Sequence, residues 1–320
     1  MRYVFAILLF ALCAESSTAD TEQQMIKKQH TDLLTVAGFD AARRHIVTEF
    51  GRIAYVESGS GPVAVFLHGF PLNGYHWRHQ LNDLADTRRC IAIDMMGLGH
   101  TEVSDDQELS FEAQAEMILA TLDALGVESF DLVGNDTGGG IAQLVATKAP
   151  SRLRSLILTN ADTHDNYPPK ALTVVHDAAI AETLDDIFVS FVTDPSAARA
   201  GLGSVVFENP AFLTDTLVEA YLGPITSTPE KRAMINRYIS SQNNAEMVAI
   251  EPLLRQLHVP TLIMWATSDP FFGIDWAYWL RDVIPGADSV IEYEGAKLFF
   301  TEERAAEVSN HIRIHWGNSL

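Results

Sequence analysis

The chain has 320 residues, a formal net charge of −20 at pH 7 and 47% hydrophobic residues. A field of that sign repels phosphate backbones, so nucleic acid is excluded as an expected partner, and neutral or cationic small molecules are favoured over anionic ones. The 11 histidines are scattered without metal-ligand spacing, so the sequence predicts no metal site.

The first 19 residues have the pattern of a cleavable signal peptide. One arginine precedes the apolar run Val4–Cys13, which is too short to span a bilayer, and small residues at 17–19 favour cleavage before Asp20. The mature chain keeps one cysteine, Cys90, which cannot form an internal disulfide. We therefore expect a secreted or periplasmic protein with no membrane span after signal removal.

The rest of the chain alternates apolar runs of strand length with helical patterns. The predicted strands are Arg44–Phe50, Arg52–Glu57, Val63–Leu67, Arg89–Ile93, Phe130–Val133, Leu153–Thr159, Thr261–Trp265 and Ser289–Tyr293. Helices are predicted around Tyr75–Leu84, at Ser110–Leu125, from Thr137 to Lys148, at Trp276–Val283 and at Thr301–Trp316. This rhythm predicts an α/β fold with a mostly parallel central sheet flanked by helices and joined by right-handed crossovers.

The alternation breaks between residues 166 and 254. That stretch shows helical patterns and no clear pair of strands, so it is predicted to be a helical cap inserted after the sixth strand. The core then comprises residues 20–165 and 255–320. Active sites of such sheets lie at the carboxyl ends of the strands, which the cap would cover.

The fifth predicted strand turns on glycines into a helix at Gly134-Asn135-Asp136-Thr137-Gly138. This is the spacing of a nucleophile elbow, with aspartate where serine is common. The abrupt turn strains the central residue and requires small neighbours, and the helix start offers N–H groups to a developing negative charge. Asp136 is therefore the predicted nucleophile. The alternative is an ordinary strand–turn–helix with Asp136 or Thr137 as helix cap.

With these elements in order, the mature chain resembles the α/β-hydrolase superfamily. It is most similar to the aspartate-nucleophile branch of epoxide hydrolases and haloalkane dehalogenases. The matching segments are His68-Gly69-Phe70-Pro71, the loop Asp94–Thr101, the elbow at Asp136, and Asp269. The resemblance implies attack of the Asp136 carboxylate on an sp3 carbon, an ester intermediate and no cofactor.

By position, the resemblance also assigns roles around the nucleophile. The N–H groups of Phe70 and Thr137 are expected to form the oxyanion hole, and Asp269 takes the place of the acid that orients a catalytic histidine. His68 is expected to be structural.

Individual sequence features distinguish between epoxide hydrolysis and dehalogenation, the two reactions of this branch. Related dehalogenases usually place a tryptophan after the nucleophile to hold the halide, and here that residue is Thr137. The His-Gly-Phe-Pro segment is more similar to epoxide hydrolases, which protonate the epoxide oxygen with tyrosines of the cap. Tyr167, Tyr221 and Tyr238 lie in or beside the predicted cap. We therefore expect a small apolar electrophile of the epoxide class as substrate.

The position of the superfamily's catalytic histidine, after the last strand, is occupied by Leu298. Leucine cannot accept a proton. The neighbouring Lys297 could act as a base only if burial strongly lowered its pKa. His164, which follows the sixth strand between two aspartates, is the predicted substitute, and His176 is a weaker candidate.

Three functions stay open at this point. The first is an epoxide hydrolase-like enzyme that uses Asp136 and an unusual base. The second is a non-catalytic or single-turnover binding homologue, because general-base assistance is typically worth about 10²–10⁴-fold. The third is a haloalkane dehalogenase, or an esterase in which Thr137 or another group attacks. The sequence identifies neither the substrate nor the oligomeric state.

Overall fold

The computed structural model describes residues 33–318, so the predicted signal peptide at 1–19 lies outside the described residues. Its strands are β1 (Arg44–Thr48), β2 (Gly51–Ser58), β3 (Val63–Leu67), β4 (Arg89–Ile93), β5 (Phe130–Asp136), β6 (Leu153–Ala161), β7 (Thr261–Ala266) and β8 (Ala287–Tyr293). They form one sheet in the order β1-β2-β4-β3-β5-β6-β7-β8. The pairs β1–β2 and β2–β4 are antiparallel and all other pairs are parallel, which confirms the predicted fold class.

Helices connect the strands on both sides of the sheet. In the core they are α1 (Val36–Ala42), α2 (Arg78–Asp83), α3 (Phe111–Ala124) and α4 (Thr137–Lys148). Between β6 and β7 follow α5 (Thr173–Ile180), α6 (Leu184–Thr193), α7 (Pro195–Ala198), α8 (Ser204–Val206), α9 (Asp215–Thr226), α10 (Pro229–Ser241), α11 (Asn244–Ala249) and α12 (Glu251–Leu254). The chain ends with α13 (Ile274–Val283), α14 (Phe300–Glu303) and α15 (Ala305–Asn318).

The central strands form because their sequences are apolar on both faces. Every residue of β5 is buried, and β3 and β4 are buried except for their first residue. A strand buried on both sides by helices has this continuous apolar pattern. The parallel register sets Leu67 beside Gly134 and Asp136 beside Ala161. The loops that follow β3 and β6 therefore flank Asp136 at the carboxyl edge of the sheet.

The first strand is shorter than predicted, and the second is longer. β1 ends at Thr48, where the N–H of Phe50 donates to Thr48 Oγ1 at 3.2 Å, and β2 begins at Gly51. Gly51 has φ 133°, and an added Cβ would overlap the carbonyl oxygen of Glu102. Glycine is required there because the backbone of Glu102 forms hydrogen bonds with the backbone of the next residue, Arg52.

The stretch between β6 and β7 contains helices and no strand, so we call residues 166–254 the cap. A buried polar cluster ties it to the core. The hydroxyl of Tyr221, on α9, donates to Glu302 Oε2 at 2.7 Å and accepts from Arg78 Nη1 at 3.0 Å, while Arg78 also pairs with Glu302. Glu302 Oε2 thus contacts both Arg78 and Tyr221, and this pairing offsets part of the cost of burying the charges. In residues 33–318 there is no helix with the length and apolarity needed to cross a membrane.

The first turn of α4 depends on close packing against the loop after β3. A Cβ added at Gly138 would lie 2.5 Å from the carbonyl oxygen of Leu67 and would also overlap that of His68. We predict that Gly138→Ala lowers the free energy of unfolding by about 1–3 kcal/mol, the usual cost of overpacking. The measurement is urea unfolding followed by circular dichroism.

Gly317→Ala is the matched control, because no atom lies within 4 Å of a Cβ added at that helical position. It should be neutral or slightly stabilising, since alanine favours helix over glycine. Equal effects of the two substitutions would contradict the packing argument.

Candidate active site

Asp136 ends β5 in a strained conformation and begins α4. Its backbone has φ 57° and ψ −130°, a combination that L-residues avoid. The side chain is 5% exposed. Its Oδ2 accepts a hydrogen bond from the N–H of Phe70 at 2.7 Å, and the N–H of Thr137 also donates to the carboxyl group. The two N–H groups predicted as an oxyanion hole thus both contact the Asp136 carboxyl group.

Gly69 makes this arrangement possible. A Cβ added at Gly69 would overlap the side chain of Asp136. The preceding His68 fixes the loop: its Nδ1 donates to the Gly69 carbonyl at 2.9 Å, and its Nε2 accepts from the N–H of Met95 at 3.0 Å. Burial lowers the pKa of His68, so the ring is neutral and both of its nitrogens are used. This confirms the structural role expected for His68.

Asp269 lies in the loop after β7 and is held by donors. Its Oδ2 accepts from Asn160 Nδ2 at 2.7 Å, and its Oδ1 accepts from the N–H of Phe271 at 2.8 Å. Asn160 also accepts from the N–H of Ala266 at 2.6 Å, so it connects the ends of β6 and β7. Asp269 therefore has a fixed position, and its carboxyl group interacts electrostatically with Asp136.

Asp162 directly follows β6 and is a third carboxyl group in the same place. Its N–H donates to the carbonyl oxygen of Asp136 at 3.3 Å, and its side chain is 1% exposed. Neither of its carboxyl oxygens has a hydrogen-bond partner among residues 33–318. Asp162 is absent from the predicted site residues, although its place at the end of a parallel strand was a usable signal.

The three carboxyl groups share a site in which, among residues 33–318, no cationic side chain interacts with them. Burial raises the pKa of Asp136 to about 8, partly offset by the N–H donors of Phe70 and Thr137. Burial also raises the pKa of Asp269 to about 7. Burial raises the pKa of Asp162 well above its usual range, and the nearby charges of Asp136 and Asp269 raise the pKa of Asp162 further. Perturbed titration in a cleft is typical of functional carboxylates.

His164 is not brought to this cluster. Its Nε2 lies 2.9 Å from Glu251 Oε2 and its Nδ1 lies 3.3 Å from Asp165 Oδ1. The ring packs against Trp279 with a centroid distance of 4.9 Å. His164 does not line the cavity above Asp136. Its contacts instead join the loop after β6, just before the cap, to the end of the cap at α12, because Glu251 begins that helix.

The loop after β8 offers no base in the observed conformation. Leu298 is buried and lines the cavity, while its carbonyl oxygen accepts from Asn135 Nδ2 at 3.2 Å. The amine of Lys297 donates to the carbonyl oxygen of Ser204 in the cap at 2.6 Å. Lys297 is therefore committed to a contact away from the carboxyl cluster. The bond to Asn135 fixes the loop directly beside the elbow.

The three tyrosines named from the sequence have different surroundings. Tyr238 is fully buried, stacks on Phe70 at 5.6 Å between centroids and donates to Thr137 Oγ1 at 3.1 Å. Tyr167 lines the cavity and donates to the carbonyl oxygen of Ile239 at 2.9 Å. The hydroxyl of Tyr221 instead bonds to Arg78 and Glu302 in the buried polar cluster described above. Two of the three tyrosines thus lie near Asp136.

A cavity of about 310 Å³ lies between the cap and the carboxyl edge of the sheet. Asp136 and Asp162 are in its wall, together with apolar side chains that include Phe70, Phe188, Phe191, Leu202 and Leu298. His176 is the histidine in this wall, and its ring packs edge-on against Tyr167 at 6.3 Å. No hydrogen bond joins His176 to the three carboxyl groups among the described residues. The cavity suits a small neutral, mostly apolar molecule.

The described part of the chain contains no group of three or more histidine, cysteine, aspartate or glutamate residues suited to a metal ion.

Comparison with known proteins gives the same fold. A family model described as alpha/beta hydrolase fold matches residues 62–303. Cis-3-alkyl-4-alkyloxetan-2-one decarboxylase from Shewanella oneidensis is 26% identical over 287 residues, which cover 85% of this chain and 87% of that protein. Epoxide hydrolase 4 from Mus musculus is 37% identical over 250 residues, which cover 71% of this chain and 65% of that protein.

Among solved structures, the epoxide hydrolase CorEH without ligand superposes with a TM-score of 0.71 at 18% identity, covering 86% of this chain and 98% of its own. Its sequence identity is too low to indicate more than a shared fold. The family match spans more than half of the chain, and the sheet carries an elbow at the end of β5. The chain belongs to the alpha/beta hydrolase fold family and is a hydrolase similar to epoxide hydrolases and haloalkane dehalogenases.

Proposed function

We propose that this protein is an epoxide hydrolase-like enzyme in which Asp136 attacks a small apolar electrophile. The observation that carries the proposal is the Asp136 carboxyl group in the wall of an apolar cavity, with one oxygen held at 2.7 Å by the N–H of Phe70. A carboxylate fixed by two N–H donors is oriented for attack before the substrate arrives.

The reaction has two steps. In the first, an oxygen of Asp136 forms a bond to an epoxide carbon, the carbon–oxygen bond of the ring breaks, and the ring oxygen takes up a proton. In the second, water attacks the carbonyl carbon of the Asp136 ester and releases a diol. The oxyanion of this second step forms on the former Asp136 carboxyl group, where the N–H groups of Phe70 and Thr137 already donate.

The surroundings of Asp136 favour an epoxide over a halide. A leaving halide needs donors beyond the nucleophile, and the residue after Asp136 is Thr137, whose hydroxyl accepts from Tyr238. The carboxyl groups of Asp136, Asp162 and Asp269 repel anionic ligands. An epoxide enters as a neutral molecule and requires a proton, which the buried acidic cluster retains. The relative named epoxide hydrolase 4 supports the same substrate class.

A second candidate is favoured by Leu298 at the expected base position. A strained oxetan-2-one ring, the type named for the decarboxylase relative, can be opened by Asp136 at its alkyl carbon with release of a carboxylate. Loss of CO2 then forms a carbon–carbon double bond and expels Asp136 unchanged. Atoms and electrons balance without water or a base. An alkene product would identify this reaction, whereas a diol identifies epoxide hydrolysis.

We predict that wild-type protein quenched in acid during turnover of 1,2-epoxyhexane carries one added epoxide mass, and that Asp136→Asn carries none. The measurement is intact-mass spectrometry with peptide mapping, and diol is assayed in the same samples. The substitution should lower diol formation at least 10³-fold, because it removes the attacking carboxylate.

Asp165→Asn is the control, since Asp165 is exposed and pairs with His164 outside the cavity. It should behave like wild type. An adduct on another residue would contradict the assignment of Asp136. Neither adduct nor product across a panel of epoxides and oxetan-2-ones would favour a binding function.

The rate of ester formation is predicted to depend on pH through Asp136. Only the carboxylate attacks, and burial raises the pKa of Asp136 to about 8. The single-turnover rate constant should therefore fall about tenfold per pH unit below about 8 and level off above it. Rapid acid quench between pH 5 and 9 measures it. A rate independent of pH over that range would show an ordinary carboxylate and contradict the assigned environment.

A further inference from the structure

Asp162 combines three properties that no other described carboxyl group shares. It lines the cavity, its side chain is 1% exposed, and both of its oxygens lack a hydrogen-bond partner among residues 33–318. Its backbone N–H donates to the carbonyl oxygen of Asp136 at 3.3 Å, so the two residues are neighbours at the ends of adjacent strands. A buried polar group without partners is costly, and such groups require an explanation.

Asp136 and Asp162 differ in their hydrogen-bond donors, and this difference indicates which of them holds a shared proton. Asp136 receives hydrogen bonds from the N–H groups of Phe70 and Thr137, which stabilise a carboxylate. Asp162 receives none. When the pair carries one negative charge, that charge therefore resides on Asp136 and the proton resides on Asp162. Burial raises the pKa of Asp162 well above its usual range, consistent with this assignment.

The groups around Asp162 do not change this result. The ionisable side chains that interact with it are Asp136 and Asp269 from neighbouring strand ends, and Tyr167 and Tyr238 from the cap. None of these is cationic. The two carboxyl groups repel each other when both are charged, so one of the pair keeps its proton more readily.

We propose that Asp162 replaces the histidine absent at position 298, donating a proton in ring opening and accepting one from water in ester hydrolysis. This inference rests on the proposed function.

Protons are neither gained nor lost by Asp136 and Asp162 over one catalytic cycle. Asp136 attacks the epoxide carbon while the ring oxygen takes the proton of Asp162, which leaves a hydroxy ester and an Asp162 carboxylate. Water then attacks the ester carbonyl, and Asp162 takes the proton that water loses. Collapse of the tetrahedral intermediate breaks the ester bond, and the departing alkoxide takes a proton from Asp162. The proton remaining on Asp136 passes to Asp162, so the pair again holds one proton and the diol is free.

The order of events explains why one residue can serve both steps. The acid step converts Asp162 into the carboxylate that the base step needs. Glycosidases with a retaining mechanism reuse one carboxyl group in the same way. Esterification also neutralises Asp136, so the Asp162 carboxylate no longer faces a charged neighbour there.

The test compares wild type with Asp162→Asn, Asp165→Asn and His176→Gln, using 1,2-epoxyhexane in single turnover. Intact mass gives two rate constants for each protein, one for formation of the Asp136 ester and one for its disappearance. For Asp162→Asn we expect the ester to form and to disappear about 10²–10⁴-fold more slowly, so that the adduct accumulates. Asp165→Asn should match wild type within about threefold, and His176→Gln, which alters the cavity wall, should release the ester without accumulation.

The outcomes separate the two proposals. Ester release from Asp162→Asn at the wild-type rate would overturn the role of Asp162 and leave the nucleophile intact. Accumulation in His176→Gln instead would transfer the base role to His176. If wild type gives neither ester nor diol, the proposed function fails and the role of Asp162 fails with it. Circular dichroism and the unfolding midpoint verify that each variant is folded.

Discussion

The structure around the site depends on the turn by which β5 becomes α4 at Asp136. That turn forces a backbone φ of 57° on a residue with a side chain and brings its carboxyl group against the N–H of Phe70. Strain of this kind costs of order 1–3 kcal/mol and persists only when the surroundings impose it. Here the parallel sheet and the glycines at 69 and 138 impose it. A carboxylate held in this way destabilises the fold, but it is oriented to attack a substrate.

The second constraint is electrostatic. Three buried carboxyl groups meet at one edge of the sheet, and the position where a histidine would share their charge holds Leu298. Burial and this repulsion favour the protonated forms, and among residues 33–318 hydrogen-bond donors are directed at Asp136 and Asp269 but not at Asp162. Because the donors are unequal, the carboxyl groups differ in protonation although they are chemically alike. In the proposed mechanism, this inequality supplies a nucleophile and an acid without a histidine.

The cap completes the site by covering the carboxyl edge of the sheet and supplying apolar surface. Phe188 and Phe191 of α6 face the cavity, and the stacking of Tyr238 on Phe70 connects α10 to the loop that orients Asp136. His164 belongs to this framework, because its contact with Glu251 joins the loop that precedes the cap to the end of the cap. Packing of the cap and orientation of the nucleophile are therefore linked through the same loop.

The sheet, the elbow and the helical stretch between β6 and β7 could be predicted because their signals are local. Continuous apolar runs mark buried strands, and the spacing Gly134–Asp136–Gly138 marks the turn. The contacts within the candidate site could not be predicted as well from the sequence. Nothing near Asp162 in the sequence reveals that its oxygens lack donors, and the partner of His164 comes from the far end of the cap. Which tyrosine lies near Asp136 depends on how α9 and α10 pack, a tertiary property.

The most direct test of a covalent role for Asp136 is a single turnover of 1,2-epoxyhexane in water enriched in ¹⁸O, followed by mass spectrometry of the diol and of the peptide that contains Asp136. Attack by Asp136 requires that the new oxygen of the diol come from the carboxyl group. The account therefore predicts ¹⁸O in Asp136 and none in the diol of the first turnover. Label in the diol with none in Asp136 would show that water attacks the epoxide directly, and would contradict the account.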